Sequence, residues 1–171
     1  MDEMAVTRRG ALGLGVGGLA LLAGCGQSKF YEYRGPAVTQ VVVQKTDRRM
    51  HLLSGQTILQ SYDVQLGFTA HGHKLHRGDG RTPEGRYHID RRNPDSRFYL
   101  SVGIDYPNRA DRARAEALGL DPGGDIFVHG WGETRRAPSH DWTAGCVAVT
   151  NEEMRDVYAM VRNGTVIDIH A

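Results

Sequence analysis

Cys146 is the residue with the clearest chemical potential, and it lies in the stretch DWTAGCVAV, between a glycine and a short apolar run. A cysteine attacks as its thiolate, so it needs a nearby base and N–H groups that stabilise an oxyanion. His129 ends the apolar run DIFVHG and would emerge at the end of a buried strand, where an imidazole can be held rigidly. We interpret the two residues as a candidate nucleophile and base, the alternative being an inert, buried cysteine.

The neighbours of this pair have residue types that suit the same chemistry. Gly145 leaves the backbone beside the thiol unencumbered, so N–H groups around Cys146 could converge on a substrate carbonyl oxygen. Thr143 adds a hydroxyl just before them, and Gly130 allows a close backbone approach beside His129. We therefore predict that these three neighbours support the oxyanion or orient the reacting groups.

Residues 1–24 differ in composition from the rest of the chain. Arg8-Arg9 precedes an uncharged stretch, residues 10–24, that is short and rich in glycine and alanine. Such a stretch favours an export signal over a membrane-spanning helix. TRRGAL resembles a twin-arginine export motif, although Ala11 stands where that motif prefers a large apolar residue.

LAGC at residues 22–25 resembles a bacterial lipobox, which implies cleavage before Cys25 and lipidation of its sulfur. The alternative is an ordinary signal peptide with an incidental cysteine. We predict a lipid-anchored protein on the periplasmic face. If the cell has an outer membrane, that membrane is favoured, because Gly26 stands where an inner-membrane retention signal has aspartate. Cys146 would then have no intramolecular disulfide partner, which favours a reactive role.

The composition fits one globular domain, because the chain has 171 residues, 24% of them charged, and a net charge of +1. This near-neutral balance argues against nucleic acid as a partner, since phosphate binding needs a surplus of Lys and Arg on one face. We divide the chain into an export signal (1–24), a lipid-attached tether (25–37) and one catalytic domain (38–171).

The sequence pattern over most of that domain predicts short strands. Residues 38–45 and 48–54 suit a hairpin, and residues 56–68 alternate polar and apolar side chains, which is typical of a half-buried strand. RYHIDRR and RFYLSVGI on either side of NPDS predict a second hairpin, and TVIDIH predicts a closing strand.

Two segments predict helices. PNRADRARAEALGLD should end at Gly119. TNEEMRDVYAMVRNG is the stronger case, because Thr150 and Glu153 can form a capping box and Asn163-Gly164 can terminate the helix. Its apolar stripe, made of Met154, Val157, Tyr158 and Val161, predicts core packing. The predicted fold class is mainly β with one or two packed α-helices.

Three segments in order resemble the YkuD-type L,D-transpeptidase family of bacterial envelope enzymes: GHKLHRGDGRTPEGRYHI, DIFVHG and DWTAGCVAVTNEEM. The resemblance covers about residues 38–169 and implies a β-sandwich-like catalytic domain. It implies that Cys146 is the acyl-accepting nucleophile, His129 its base, and the main-chain carbonyl of Gly130 the group that orients the imidazole. Asp141 is a weaker candidate for orienting it, and Asp141 and Trp142 are candidate substrate-pocket residues. We interpret GDGRTPEGRY as a structural turn beside the site.

The resemblance also implies a reaction, without cofactor or metal. Cys146 would attack the carbonyl of the third residue of a peptidoglycan stem peptide, a diaminopimelate-type residue, and D-alanine would leave to give a thioester. An amine of a neighbouring stem or of an envelope lipoprotein would then accept the acyl group. With water instead, the enzyme would be an L,D-carboxypeptidase, or an amidase that releases a peptidoglycan-linked lipoprotein.

Two positions depart from the usual family motif, which has histidine before the Gly-Cys pair and often arginine or asparagine two residues after it. This chain has Ala144 and Ala148 there. Its DWTxGC form resembles a distinct branch, some members of which resemble hydrolases. The departures leave substrate choice open, while the Cys–His pair is kept.

Two rival functions remain at the level of the sequence. HGHKLH offers His71, His73 and His76 as zinc ligands, but on an alternating strand His76 faces away from the other two, and no acidic or cysteine fourth ligand is near in sequence. A solvated strand end is the simpler interpretation. The other rival is a non-catalytic envelope-binding module with the same fold.

Overall fold

The computed structural model describes residues 28–133 and 141–171, and within these ranges the chain forms eight strands and two helices. The elements in chain order are β1 (Gln40–Gln44), β2 (Arg49–Ser54), β3 (Thr57–Asp63), β4 (Gly85–Asn93), β5 (Ser101–Ile104), α1 (Arg109–Ala117), β6 (Phe127–His129), β7 (Val147–Ala148), α2 (Asn151–Met160) and β8 (Val166–His170). The predicted fold class, mainly β with packed helices, is therefore confirmed.

The strands form one sheet in the order β3-β2-β1-β8-β4-β5-β6-β7. β8, the last strand in the chain, lies between β1 and β4, parallel to the former and antiparallel to the latter. Isolated bridges join Gln65 to Ala148 and Gly67 to Thr143, so the segment after β3 meets β7 at the far end of the strand order. The sheet therefore curls until its two ends touch, and the core is enclosed within the curl.

Both predicted hairpins are present, as the antiparallel pairs β1–β2 and β4–β5. The predicted strand over residues 56–68 divides in two. Its first part is β3, whereas Gln65 and Gly67 pair with the chain around the cysteine. Val64 and Leu66 are buried within that second part, whereas Ile58 in β3 is exposed, so the alternation indicated the buried side chains only in part.

The two helices begin where the sequence predicts. Asn108 and Asp111 form a capping box at α1, and Thr150 and Glu153 form one at α2. α1 is followed by Gly119 in the left-handed region, as expected of a helix terminator. α2 ends at Met160, earlier than the predicted Asn163-Gly164, because the fully buried Val161 enters the core in an extended conformation.

The core is one cluster of side chains from the curled sheet and from α2. α2 contributes Met154, Val157 and Met160 to it. The segment before β1 has no regular secondary structure but lies along the surface: Lys29 donates to Pro94 O and Tyr31 to Asp156. The predicted export signal and Cys25 lie outside the described residues. Within the described ranges, no helix has the length and apolar character needed to cross a membrane.

Candidate active site

The register of β6 and β7 brings Cys146 and His129 to one place. The two strands are parallel, with Val128 opposite Val147 and His129 opposite Ala148. Cys146 therefore lies opposite Phe127, and Phe127 and His129 share one face because alternate residues of a strand point the same way. The parallel pairing thus places Cys146, directly before β7, and His129, at the end of β6, on neighbouring stretches of backbone.

The thiol is partly exposed, and its Sγ–H donates to the main-chain O of Asp125 at 3.6 Å. Burial of the sulfur raises the pKa of the Cys146 thiol. A hydrogen bond from the Phe127 N–H opposes this rise in pKa, the charge of Asp125 adds to it, and Lys74 and Arg91 oppose it. The thiol is therefore the favoured form of Cys146 at neutral pH.

The imidazole of His129 is buried, and its Nδ1 lies 2.6 Å from the main-chain O of Gly130. Because a carbonyl oxygen only accepts, Nδ1 carries the proton and Nε2 is left as the acceptor, the form that a general base needs. Burial lowers the pKa of His129, against the opposing effect of the bond to Gly130. The geometry is the one that the predicted orienting role of Gly130 requires.

Two aromatic rings pack against the imidazole of His129. Phe98 stacks on the His129 ring with centroids 4.5 Å apart, and Trp142 meets the ring edge-on at 5.7 Å. Trp142, predicted as a pocket residue, thus contacts the candidate base and is not among the residues that line the cavity at the thiol. Phe98 was not singled out from the sequence, because its segment indicated only a strand.

The loop that carries the Gly130 carbonyl is fixed by the first residue of α2. Asn151 donates from Nδ2 to Gly132 O at 2.7 Å and accepts at Oδ1 from Gly132 N at 3.0 Å. A Cβ on Gly130 would lie 2.6 Å from Asn151 Oδ1, so only glycine fits at this position. Asn151 is therefore a positioning residue that the sequence analysis missed.

Thr143 and Gly145 shape the turn that presents the cysteine. Thr143 Oγ1 donates to Cys146 O at 2.7 Å and accepts from Gly145 N at 3.2 Å. Gly145 has φ 130°, and a Cβ there would lie 2.6 Å from Arg81 O. The Gly145 N–H is thus engaged inside the turn, and the predicted role of Gly145 in oxyanion support or orientation stays a prediction.

Asp141 lies in a different set of contacts from those predicted for it. Its carboxylate accepts from Arg48 Nη2 and from the main-chain N–H of Leu66, both at 2.8 Å. These bonds join the loop that carries the cysteine, residues 141–146 (the cysteine loop), to the β1–β2 turn and to the segment after β3. Asp141 anchors the loop, and the contacts of its carboxylate provide no support for an orienting or pocket role.

A cavity of about 260 Å³ opens at the thiol. It is lined by Cys146 and Ala144, by residues 123–126, and by Lys74 and Arg77. Gly78 from the turn-rich segment also lines it. The interpretation of that segment as a structural turn beside the site agrees with this position.

The three histidines proposed as zinc ligands have separate surroundings. His73 Nε2 lies 3.2 Å from Asp111, an acidic neighbour that the sequence did not predict, while His76 Nδ1 lies 2.8 Å from Arg77 O. His71 is exposed. In the part of the chain that the structure describes, no group of three or more His, Cys, Asp or Glu is arranged to hold a metal ion.

Comparisons with known proteins agree with this fold. The sequence model of the YkuD family, described as the L,D-transpeptidase catalytic domain, matches residues 39–169. Escherichia coli K12 YafK is 27% identical over 135 residues, which are 77% of this chain and 49% of YafK. The chain thus spans about half the length of the curated relatives it matches.

Solved structures give the same picture. The helical cell shape determining protein Pgp2 from Campylobacter jejuni is 25% identical with a TM-score of 0.62, over 80% of this chain and 49% of that one. An L,D-transpeptidase from Mycobacterium smegmatis shares the fold, with a TM-score of 0.53 and 16% identity over 79% of this chain and 59% of its own. The resemblance noted in the sequence is confirmed: this chain belongs to the YkuD family of L,D-transpeptidase catalytic domains.

Proposed function

We propose that this protein is a cysteine-dependent L,D-transpeptidase that acts on peptidoglycan stem peptides through a thioester on Cys146. The observation that carries the proposal is the imidazole of His129. It is fixed by the Gly130 carbonyl with Nε2 unprotonated, on the strand next to the cysteine. Family membership supplies the substrate class, and this arrangement supplies the nucleophile and the base.

The first half-reaction needs one proton transfer and one exchange of acyl partners. His129 Nε2 takes the thiol proton, and Cys146 Sγ attacks the carbonyl carbon of the third stem residue. The C–N bond to the terminal D-alanine then breaks, and the imidazolium returns the proton to the leaving amine. The product is a thioester with a neutral imidazole, so the pair begins and ends this half-reaction uncharged.

The second half-reaction releases the acyl group to an acceptor. The amine of a neighbouring stem or of an envelope lipoprotein loses a proton to His129 as it attacks the thioester, and the thiol is regenerated. Water reacts by the same route, which makes the protein an L,D-carboxypeptidase or an amidase. Ala148 favours keeping this hydrolytic candidate, because it is fully buried and offers no polar group where the family often has arginine or asparagine.

The nucleophile is tested with a tetrapeptide stem as donor. Cys146→Ala should abolish the release of D-alanine, measured by mass spectrometry, while circular dichroism stays unchanged. Cys25→Ala is the matched control, because it removes the other cysteine and should leave the reaction intact. Full activity of Cys146→Ala would contradict the assignment.

The acceptor is identified by the products from purified peptidoglycan fragments. A dimer joined between two third-position residues supports transpeptidation. A trimmed tripeptide indicates carboxypeptidase activity, and a released lipoprotein fragment indicates amidase activity.

We also propose that the protein is exported and held at the periplasmic face by lipid on Cys25. The supports are the twin-arginine-like TRRGAL and the lipobox-like LAGC. The Cys25→Ala variant tests this too, because the protein should then move from the membrane fraction to the soluble fraction.

A further inference from the structure

Two positively charged side chains reach the cavity at the thiol from the segment before β4. Lys74 is 3% exposed, and its Nζ donates to Asp79 Oδ1 at 2.8 Å and to His76 O at 3.1 Å. An ammonium group has three protons, so these two acceptors leave one proton of Lys74 for a ligand. The buried lysine is therefore held in place and still has a donor to offer.

Arg77 also lines this cavity. Its Nε donates to Asp121 Oδ2 at 2.7 Å, and its main-chain N–H donates to Asp121 O at 2.8 Å. Gly123, with φ +75°, passes close to it, since a Cβ there would lie 3.3 Å from Arg77 Cα. The bond through Nε fixes the stem of the side chain, and the terminal amino groups of Arg77 make no hydrogen bond to the described residues.

The acidic residues near these cations are each paired with a basic side chain. Asp79 and Asp121 hold the two cations but do not line the cavity. Asp125 lines it, yet its carboxylate is 89% exposed and lies 3.4 Å from Arg91. Lys74 and Arg77 are thus the two cationic residues among the described residues that line the cavity at the thiol.

We propose that Lys74 and Arg77 form a carboxylate subsite that holds the donor stem peptide while its scissile carbonyl lies at Cys146. This inference rests on the proposed function, because it takes the stem peptide as the donor. Two carboxylates of that peptide have the right chemistry: the terminal carboxylate of the D-alanine that leaves, and the second carboxylate of a diaminopimelate-type third residue. Positive charge reaching the cavity from this loop also accounts for a working donor site without an arginine at position 148.

The test compares three donors: the tetrapeptide, its C-terminal amide, and a tetrapeptide with lysine as the third residue. Arg77→Gln should lower kcat/KM for the tetrapeptide about tenfold, mainly through KM, as expected for loss of a charge-assisted hydrogen bond. The variant should lose nothing further on the donor that lacks the bound carboxylate. If Arg77→Gln leaves kcat/KM unchanged on the C-terminal amide, the terminal carboxylate is the ligand. If it leaves kcat/KM unchanged on the lysine peptide, the second carboxylate of the third residue is the ligand.

Arg49→Gln is the matched control, because Arg49 is a surface arginine paired with Asp63 on β3 and should leave all three donors unchanged. Lys74→Gln repeats the measurement at the buried cation. This variant carries a risk of misfolding because Lys74 is buried, and Arg77→Gln avoids that risk because Arg77 is exposed. An equal loss on all three donors, or no loss on any, overturns the subsite.

A failure of the proposed function is recognised separately. If the wild type turns over none of the donors, calorimetry with the Cys146→Ala variant measures binding of the tetrapeptide alone. Weaker binding on adding Arg77→Gln then supports the subsite without the reaction, and unchanged or undetectable binding overturns it.

Discussion

Burial acts in opposite directions on the two candidate reacting residues. It raises the pKa of the Cys146 thiol and lowers the pKa of His129. Both shifts favour the uncharged form, so the resting state is a thiol beside a neutral imidazole and not a thiolate–imidazolium pair. Proton transfer then accompanies attack instead of preceding it.

This resting state predicts the pH dependence of the reaction. The active form of His129 is the unprotonated one, which exists above its pKa, and that pKa lies below the ordinary 6.5. The acid limb of kcat/KM should therefore have its midpoint below pH 6.5. Alkylation of Cys146 by iodoacetamide should stay slow at neutral pH and rise only above pH 9, where the thiolate forms.

The alkylation is followed on the Cys146 peptide by mass spectrometry, so that Cys25 does not contribute. The same cysteine in denaturant gives the reference rate. A plateau of fast alkylation at mildly acidic pH would indicate a preformed ion pair and contradict the neutral resting state.

Residue types predicted the candidate reacting pair but not the groups that surround it. Cys146 and His129 were singled out because few side chains do their chemistry and because each stands at the edge of an apolar run. Phe98 and Asn151 were missed, since a ring or an amide acquires its role only through contacts made in three dimensions. The same reason explains why Asp141 was assigned to the site and lies instead against Arg48.

At the scale of elements, the start of α2 positions the site. Its capping box fixes where the helix begins, and the next residue, Asn151, clamps both polar groups of Gly132. Through this clamp the helix holds the loop whose Gly130 carbonyl orients His129. The helix therefore acts on the imidazole through this loop.

We expect Asn151→Ala to lower kcat about tenfold with little change in KM, because two hydrogen bonds that fix the loop are lost. Asn151→Asp keeps the acceptor at Oδ1 and should recover part of the rate. The His129 Nδ1–H resonance, followed by proton NMR, should lose intensity or shift in Asn151→Ala, since its bond to Gly130 is no longer held.

Glu152→Ala is the control for the Asn151 experiment, because Glu152 lies in the same turn of α2 and is exposed. It should leave both the rate and the resonance unchanged. A loss of stability in Asn151→Ala with an unaltered rate and resonance would mean that the clamp is structural only.

Elements were predictable where a local pattern determines them. The start of α2 follows from its capping residues, and the second hairpin from the turn residues between its two runs. The end of α2 was predicted too late because Val161 leaves the helix to fill the core, which is a tertiary effect. The division of residues 56–68 has the same origin, since its second half pairs with the cysteine loop.

At the scale of the molecule, the order of strands could not be derived from local patterns. β8 is the last strand in the chain and pairs in parallel with β1, so a contact between the two ends of the domain forms the middle of the sheet. Nothing in either segment specifies that partner. The fold class was still predictable, because the number of short strand-like runs and the two helical segments limit the architecture.

The stability of the whole molecule should depend on Asp79, which holds the buried Lys74. Its side chain is 5% exposed. Although burial opposes the shift, hydrogen bonds from Lys74 and from the main-chain N–H groups of Leu75, Arg81 and His76 lower the pKa of Asp79 from 3.8 to about 2. That difference corresponds to about 2 kcal/mol of stability.

The sign of this contribution follows from the direction of the shift. A carboxyl whose pKa is lower in the folded state stabilises the fold fully above its unfolded pKa of 3.8 and loses that contribution as the pH falls to about 2. We expect Asp79→Asn to lower the free energy of unfolding by about 2 kcal/mol at neutral pH, with the gap from wild type closing over this acidic window. Urea unfolding at a series of pH values measures it.

Asp63→Asn is the control for Asp79→Asn, because Asp63 is also paired with a cation, Arg49, but its side chain is 86% exposed. An exposed pair contributes little, so this variant should follow the wild type at every pH. If Asp79→Asn keeps the full gap at pH 2, the lost stability comes from packing and not from the carboxylate charge. A gap that closes links the acid stability of the whole fold to the ion pair that positions Lys74 beside Cys146.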